Sequence, residues 1–90
     1  MNKYLITYDL KATPLSGYRP LHDEIKKISG NWWHYLESTW IVKNTSMSAD
    51  SISNKLLPHI KQGDRLLVIK IDTSDKQGWL PKDAWDWLNS

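Results

Sequence analysis

The chain has no cysteine, no phenylalanine, only four glycines and four prolines. Without cysteine there can be no disulfide framework, no thiolate metal cage and no thiol nucleophile. No apolar run approaches the ~20 residues needed to span a bilayer. The opening MNKYLITYDL lacks a basic n-region, a long apolar stretch and a small-residue cleavage site, so a cytoplasmic protein with no membrane contact is expected. The glycines stand singly, at 17, 30, 63 and 78, which excludes the glycine-rich loops that cradle phosphates. Ser16 and Ser38 have no nucleophile-elbow context. His22, His34 and His59 are too widely spaced for a metal-ligand motif and none joins a recognisable triad; His34, on an inner strand face, is the most suggestive of the three.

What the chain does contain is a globular composition. It has 90 residues, 40% hydrophobic and 24% charged, enough for one core and too few for two. A net charge of +2 is mildly basic, short of the dense Lys/Arg stripes that drive phosphate binding. Six Trp and four Tyr supply large apolar bodies with polar handles, which suit half-buried surfaces and interfaces as well as cores.

Along the chain, Tyr4 to Leu10 is rich in strand formers and alternates Tyr4, Ile6, Tyr8 and Leu10 against Leu5, Thr7 and Asp9. A turn-forming loop, 11–17, follows. Leu21, Ile25 and Ile28 recur at helical spacing, with Pro20 in the first turn, Lys26 and Lys27 late and Gly30 as the stop. Trp32 to Thr45 is aromatic and β-branched but too long for one strand, which predicts a hairpin turning near Glu37 to Thr39. Ser48 can cap a second helix carrying Ala49, Ile52, Leu56 and Ile60, which Pro58 should end near Leu57. Arg65 to Ile71 is nearly continuous in apolar residues, which predicts a strand buried on both faces at the sheet centre. Pro81 can start a short tail helix in which Ala84, Trp87 and Leu88 share a face.

The order strand, helix, strand, strand, helix, strand is the split βαβ pattern. The expected fold is therefore α+β: a ferredoxin-like βαββαβ unit with an antiparallel sheet and a short Trp-rich helical tail. Residues 1–90 form one domain, 1–72 the core and 73–90 the tail. Helices cover one face of such a sheet, yet both faces of the first strand carry large or apolar side chains. The second face needs a cover, from a second copy or from the tail, and a homodimer is expected.

A first strand ending Tyr8-Asp9-Leu10, an amphipathic helix, an aromatic hairpin, a second helix and the strand Asp64-Arg65-Leu66-Leu67-Val68-Ile69 together resemble the CRISPR-associated Cas2 proteins. The resemblance is nearest to small Cas2-like bacterial proteins that carry the SinR label, through Trp32-Trp33-His34-Tyr35-Leu36-Glu37-Ser38-Thr39-Trp40 and Gly78-Trp79-Leu80-Pro81. It implies a homodimer and a phage-defence setting, with Asp9 near the dimer axis as the catalytic and metal-binding carboxylate where such proteins cleave nucleic acid. Two symmetry-related Asp9 carboxylates can hold one Mg²⁺, a hard oxygen-seeking cation. Two features depart from that pattern: only Lys11 and Arg19 supply positive charge after the first strand, and a tail replaces the last strand.

Each candidate also has a plainer reading. Asp9 can cap the following loop. Lys11, Arg19 and Tyr8 are the candidates for nucleic-acid contact, and Tyr4, Tyr8 and Trp40 for a base-stacking platform, although Trp40 to Lys43 also reads as core. Lys26, Lys27, Lys55 and Lys61 suit solvated helix faces or a phosphate stripe. Tyr4, Ile6, Trp79, Trp85 and Trp87 are the candidates for the dimer interface, the tail aromatics as packing anchors. The leading expectation is a Cas2-like homodimeric module associated with DNA or RNA, needing no cofactor. The alternatives are a Mg²⁺-dependent nuclease using paired Asp9, and a protein-binding module that does not touch nucleic acid.

Overall fold

A computed structural model describes residues 2–90, and its element order is the one the sequence predicts. Strand β1 (Asn2–Asp9) leads through a 3₁₀ turn (Leu15–Gly17) to helix α1 (Tyr18–Ile28). The hairpin β2 (Trp32–Leu36) and β3 (Thr39–Thr45) follows, then α2 (Ala49–Leu56), a 3₁₀ turn (Leu57–His59), β4 (Arg65–Lys70) and the tail helix α3 (Lys82–Leu88). The four strands form one antiparallel sheet in the order β2-β3-β1-β4, the ferredoxin-like arrangement with a helix appended.

Local chemistry sets the boundaries. Ser48 caps α2 in a reciprocal box with Ser51, satisfying amide donors that a helix start leaves unpaired. Pro58 cannot continue an α-helix, and the chain tightens into the 3₁₀ turn that contains it. A β-bulge in β3 opposite Asn2 and Tyr4 coincides with Asn44 at a φ of 61°, a left-handed conformation that Asn tolerates better than most residues.

Alternation along the strands sorts side chains to two faces. Tyr4, Ile6 and Tyr8 of β1 join Trp40 and Val42 of β3 beneath Leu21, Ile25 and Ile28 of α1 and Ile52 and Leu56 of α2, forming the main core. On the second face, α3 seats Ala84 and Leu88 against Trp33 and Ile41. The Trp33 Nε1–H donates to the Ala84 carbonyl at 3.2 Å. Lys43, buried on this face, donates from Nζ to the Trp87 and Ser90 carbonyls at 3.2 and 3.3 Å and to the Ser90 hydroxyl, and its ammonium lies 4.3 Å from the Trp87 ring centroid. A cation here satisfies carbonyls at the C-terminal end of the helix and complements its dipole. Burial, then the nearby Lys3 ammonium, pushes the Lys43 pKa down.

The structure corrects one fold expectation. β4 is an edge strand beside β1, not a central one. Its Leu66 and Val68 pack toward the core, while Leu67 and Ile69 stay 53% and 47% exposed. An apolar run without alternation suggests burial on both faces, but here the split βαβ topology places the strand at the rim, and α3 covers the β2–β3 half of the second face instead.

Candidate functional site

The C-terminal end of β1 carries the sequence-predicted site. Asp9 points to the second face, lies opposite Arg65 in the β1–β4 register and pairs with Lys11 at 3.6 Å, both side chains well exposed. Arg19, on the first turn of α1, pairs with Asp23 at 3.7 Å and is equally exposed. Such surface pairs are weak, about 0–1 kcal/mol, so neither cation is committed to its partner. Asp9 and Lys11 lie together, while Arg19 stands on α1 and borders a cleft on the helix-covered side.

Sequence reading missed the residue that shapes this loop. Asp64, in the turn before β4, accepts from the Ala12 amide at 2.6 Å, the Thr13 amide at 3.3 Å, the Thr13 hydroxyl at 2.6 Å and the Lys61 amide at 2.9 Å. Burial by itself would raise its pKa, but hydrogen bonds from Thr13, Lys61 and Ala12 prevail and hold it at about 2. The carboxylate therefore ties the segment carrying Lys11 to the start of β4. A Gln-Gly-Asp turn signal was present in the sequence; its long-range partners at 12 and 13 were not.

Tyr8 is not a surface contact for nucleic acid. It is buried in the main core, as are Tyr4 and Trp40, so the expected stacking platform on the open face does not form: the β1 register puts these rings under α1 and α2. Tyr8 instead organises a polar cluster. The Trp40 Nε1–H donates to Tyr8 Oη at 3.0 Å, and the same oxygen lies 2.7 Å from His22 Nε2 and 3.5 Å from the Glu37 carbonyl. Burial raises the Tyr8 pKa, with the Tyr18 and Glu37 charges adding to it and the Trp40 hydrogen bond opposing. His34 stacks on Trp40 with ring centroids 3.8 Å apart and planes at 12°. It also stands 5.4 Å from His22. Burial lowers the His22 pKa, and the His34 and Lys26 charges lower it further.

The hydrogen bonds specify one tautomer. His34 Nε2 is 3.0 Å from the Glu37 carbonyl oxygen, which can only accept, so Nε2 carries the proton and the neutral ring leaves Nδ1 as a lone pair. These rings border a cleft of about 580 Å³ between α1 and the β2–β3 hairpin, lined by Leu15, Tyr18, Arg19, His22, Asp23, Lys26, His34 and Glu37.

The remaining candidates divide. Tyr4 and Ile6 belong to the chain's own core and are corrected from interface residues to core residues, because their alternation faces the helices. Trp85 and Trp87 pack in cis against the Trp33–Ile41 cluster, whereas Trp79 is 100% exposed. Leu5 and Thr7 of β1 with Leu67 and Ile69 of β4, paired Leu5↔Ile69 and Thr7↔Leu67, form the part of the second face outside the α3 cluster. Among the described residues no group of three or more His, Cys, Asp or Glu side chains can hold a metal ion. Asp9 belongs to no such group; the cation beside it is Lys11. Among the same residues no helix is long and apolar enough to cross a membrane. No family model matches the chain, and no curated protein matches its sequence.

Proposed function

We propose that the chain is a Cas2-like homodimeric module associated with nucleic acid, in which a second copy covers the Leu5–Leu67–Ile69 face. The observation that carries the reading is that open apolar face, bordered by an unpaired sheet edge and ending at Asp9 and Arg65. Fully burying a Leu or Ile side chain is worth roughly 1.5–3 kcal/mol, so two half-exposed side chains on each copy give a self-complementary patch a reason to close. An isologous contact presents the same patch twice. Exposed Lys11, Arg19 and Arg65, each in at most a weak surface pair, supply the charge for phosphate contacts. The Cas2 resemblance of the sequence adds the phage-defence setting.

A second reading is favoured by the position of Asp9 on the same face. A dimer centred on that end of β1 sets two Asp9 carboxylates together, which supplies the Mg²⁺ ligands one protomer lacks. Both readings meet in one assay: labelled single- and double-stranded DNA and RNA with the purified protein, in Mg²⁺ or EDTA, beside Asp9→Asn. The scaffold reading expects a salt-sensitive shift, unchanged in Asp9→Asn, without cleavage. Cleavage that needs Mg²⁺ and disappears in Asp9→Asn would instead establish the nuclease, and neither shift nor cleavage would leave a protein-binding module.

A further inference from the structure

The cleft between α1 and the hairpin has the makings of a ligand site that neither the fold nor Asp9 requires. Arg19, His22 and Lys26 stand three and four residues apart on α1, the spacing that puts side chains on one helix face, and all three line the cleft with His34 and Glu37 from the hairpin. Both imidazoles are fixed from one side, His22 through Tyr8 Oη and His34 through the Glu37 carbonyl. Their Nδ1 atoms have no hydrogen-bond partner among the described residues. Formal charge in the lining balances while the imidazoles are neutral, with Arg19 and Lys26 against Asp23 and Glu37. A proton on either ring makes the cleft net positive, and on His34 it turns the Nδ1 lone pair into a donor.

We infer that this cleft binds a terminal phosphate monoester of a nucleotide, with the phosphate held by Arg19, Lys26 and the histidine Nδ1 atoms. A phosphate monoester carries about −1.5 to −2 charge near neutrality and three acceptor oxygens, which matches two exposed cations, Arg19 in a weak pair with Asp23 and Lys26 at 5.0 Å from the Trp32 ring centroid, and two histidine rings without an Nδ1 partner. The volume of about 580 Å³ exceeds what a bare phosphate fills and lies within the ~300–1,000 Å³ range of small-molecule sites. Tyr18 and Leu15 offer an aromatic edge and an apolar rim for the base, and the Glu37 carboxylate can accept from an amino or hydroxyl group. The groups facing the histidines are Tyr8 from β1, Tyr18, Arg19, Asp23 and Lys26 from α1, Glu37 from the turn after β2 and Trp40 from β3. Burial holds the His22 ring toward its neutral form, so Arg19 and Lys26 carry the permanent positive charge of the cleft.

This inference deepens the nucleic-acid part of the proposed function and does not depend on dimerisation. The test is calorimetric titration of the whole protein with adenosine 5′-monophosphate and with adenosine, at neutral pH. Expected is measurable binding of the monophosphate, at least about tenfold tighter than adenosine, since hydrogen bonds to charged groups are the stronger class. Arg19→Gln and Lys26→Gln, both at exposed positions, should each weaken it several-fold with Tm unchanged. Short oligonucleotides ending in a 5′-phosphate or a 5′-hydroxyl then separate a strand end from a free nucleotide as the source. Equal affinity for adenosine and its monophosphate, or indifference to both substitutions, overturns the inference. Loss of the gel shift on long strands with monophosphate binding retained would remove the proposed scaffold role alone.

Discussion

Asp64 and His22 show how single side chains set the acid limit of this fold. The Asp64 carboxylate sits at about 2, below its ordinary value of 3.8. A depressed carboxylate stabilises the folded state above the unfolded pKa, and that contribution is lost as pH falls from about 3.8 toward 2. His22 is also depressed, by burial first. Its unfolded form binds protons more readily, so its contribution is complete above about pH 6.5 and fades as pH falls below that value. Thermal melts across pH should therefore show a first decline beginning near 6.5 that is absent in His22→Gln, and a second below 4 that is absent in Asp64→Asn. Asp64→Asn should also lower Tm at neutral pH and speed hydrogen exchange at the Ala12 and Thr13 amides. Unchanged exchange there would show that the carboxylate does not hold the loop. None of this was legible in the sequence, because Asp64 meets Thr13 across 51 positions and His22 meets Tyr8 across 14.

At the scale of elements the sequence was more informative, because periodicity and caps are local. Leu21, Ile25 and Ile28 defined α1, Ser48 and Pro58 bounded α2, and the hairpin turned between Leu36 and Thr39 as expected. The tail helix was also legible from Pro81 and the Ala84–Leu88 face, but its docking was not: Lys43 read as a residue of a core strand, with nothing local to mark it as the latch on α3. The bulge at Asn44 was equally silent. Lys43→Ala removes the ammonium from the C-terminal carbonyls of α3 and should cost about 1–3 kcal/mol, the range for losing hydrogen bonds to a charged group and leaving partners unsatisfied. The expected readout is a red shift in tryptophan emission as Trp33 and Trp87 gain water, with the far-ultraviolet signature of the βαββαβ core retained. An unshifted spectrum would mean that Trp33 and Ile41 hold the tail without it.

For the whole molecule, the misplaced centrality of β4 is the useful error. Its apolar residues do face two ways, as the pattern suggested, but the chain only partly buries Leu66 and Val68, and the tail stops short of Leu67 and Ile69. The proposed dimer would cover these second-face residues and set Asp9 at its edge. Replacing Leu67 or Ile69 with Lys should leave the monomer's stability within about 0.5 kcal/mol, as for ordinary surface changes, while weakening self-association at least tenfold, equivalent to ~1.4 kcal/mol. The most direct measurement is sedimentation velocity of the purified protein at tens of micromolar, beside the Leu67→Lys variant. A dimer on this face sediments at twice the 10.5 kDa chain mass and dissociates in the variant; a monodisperse monomer, or a dimer untouched by Leu67→Lys, would rule it out.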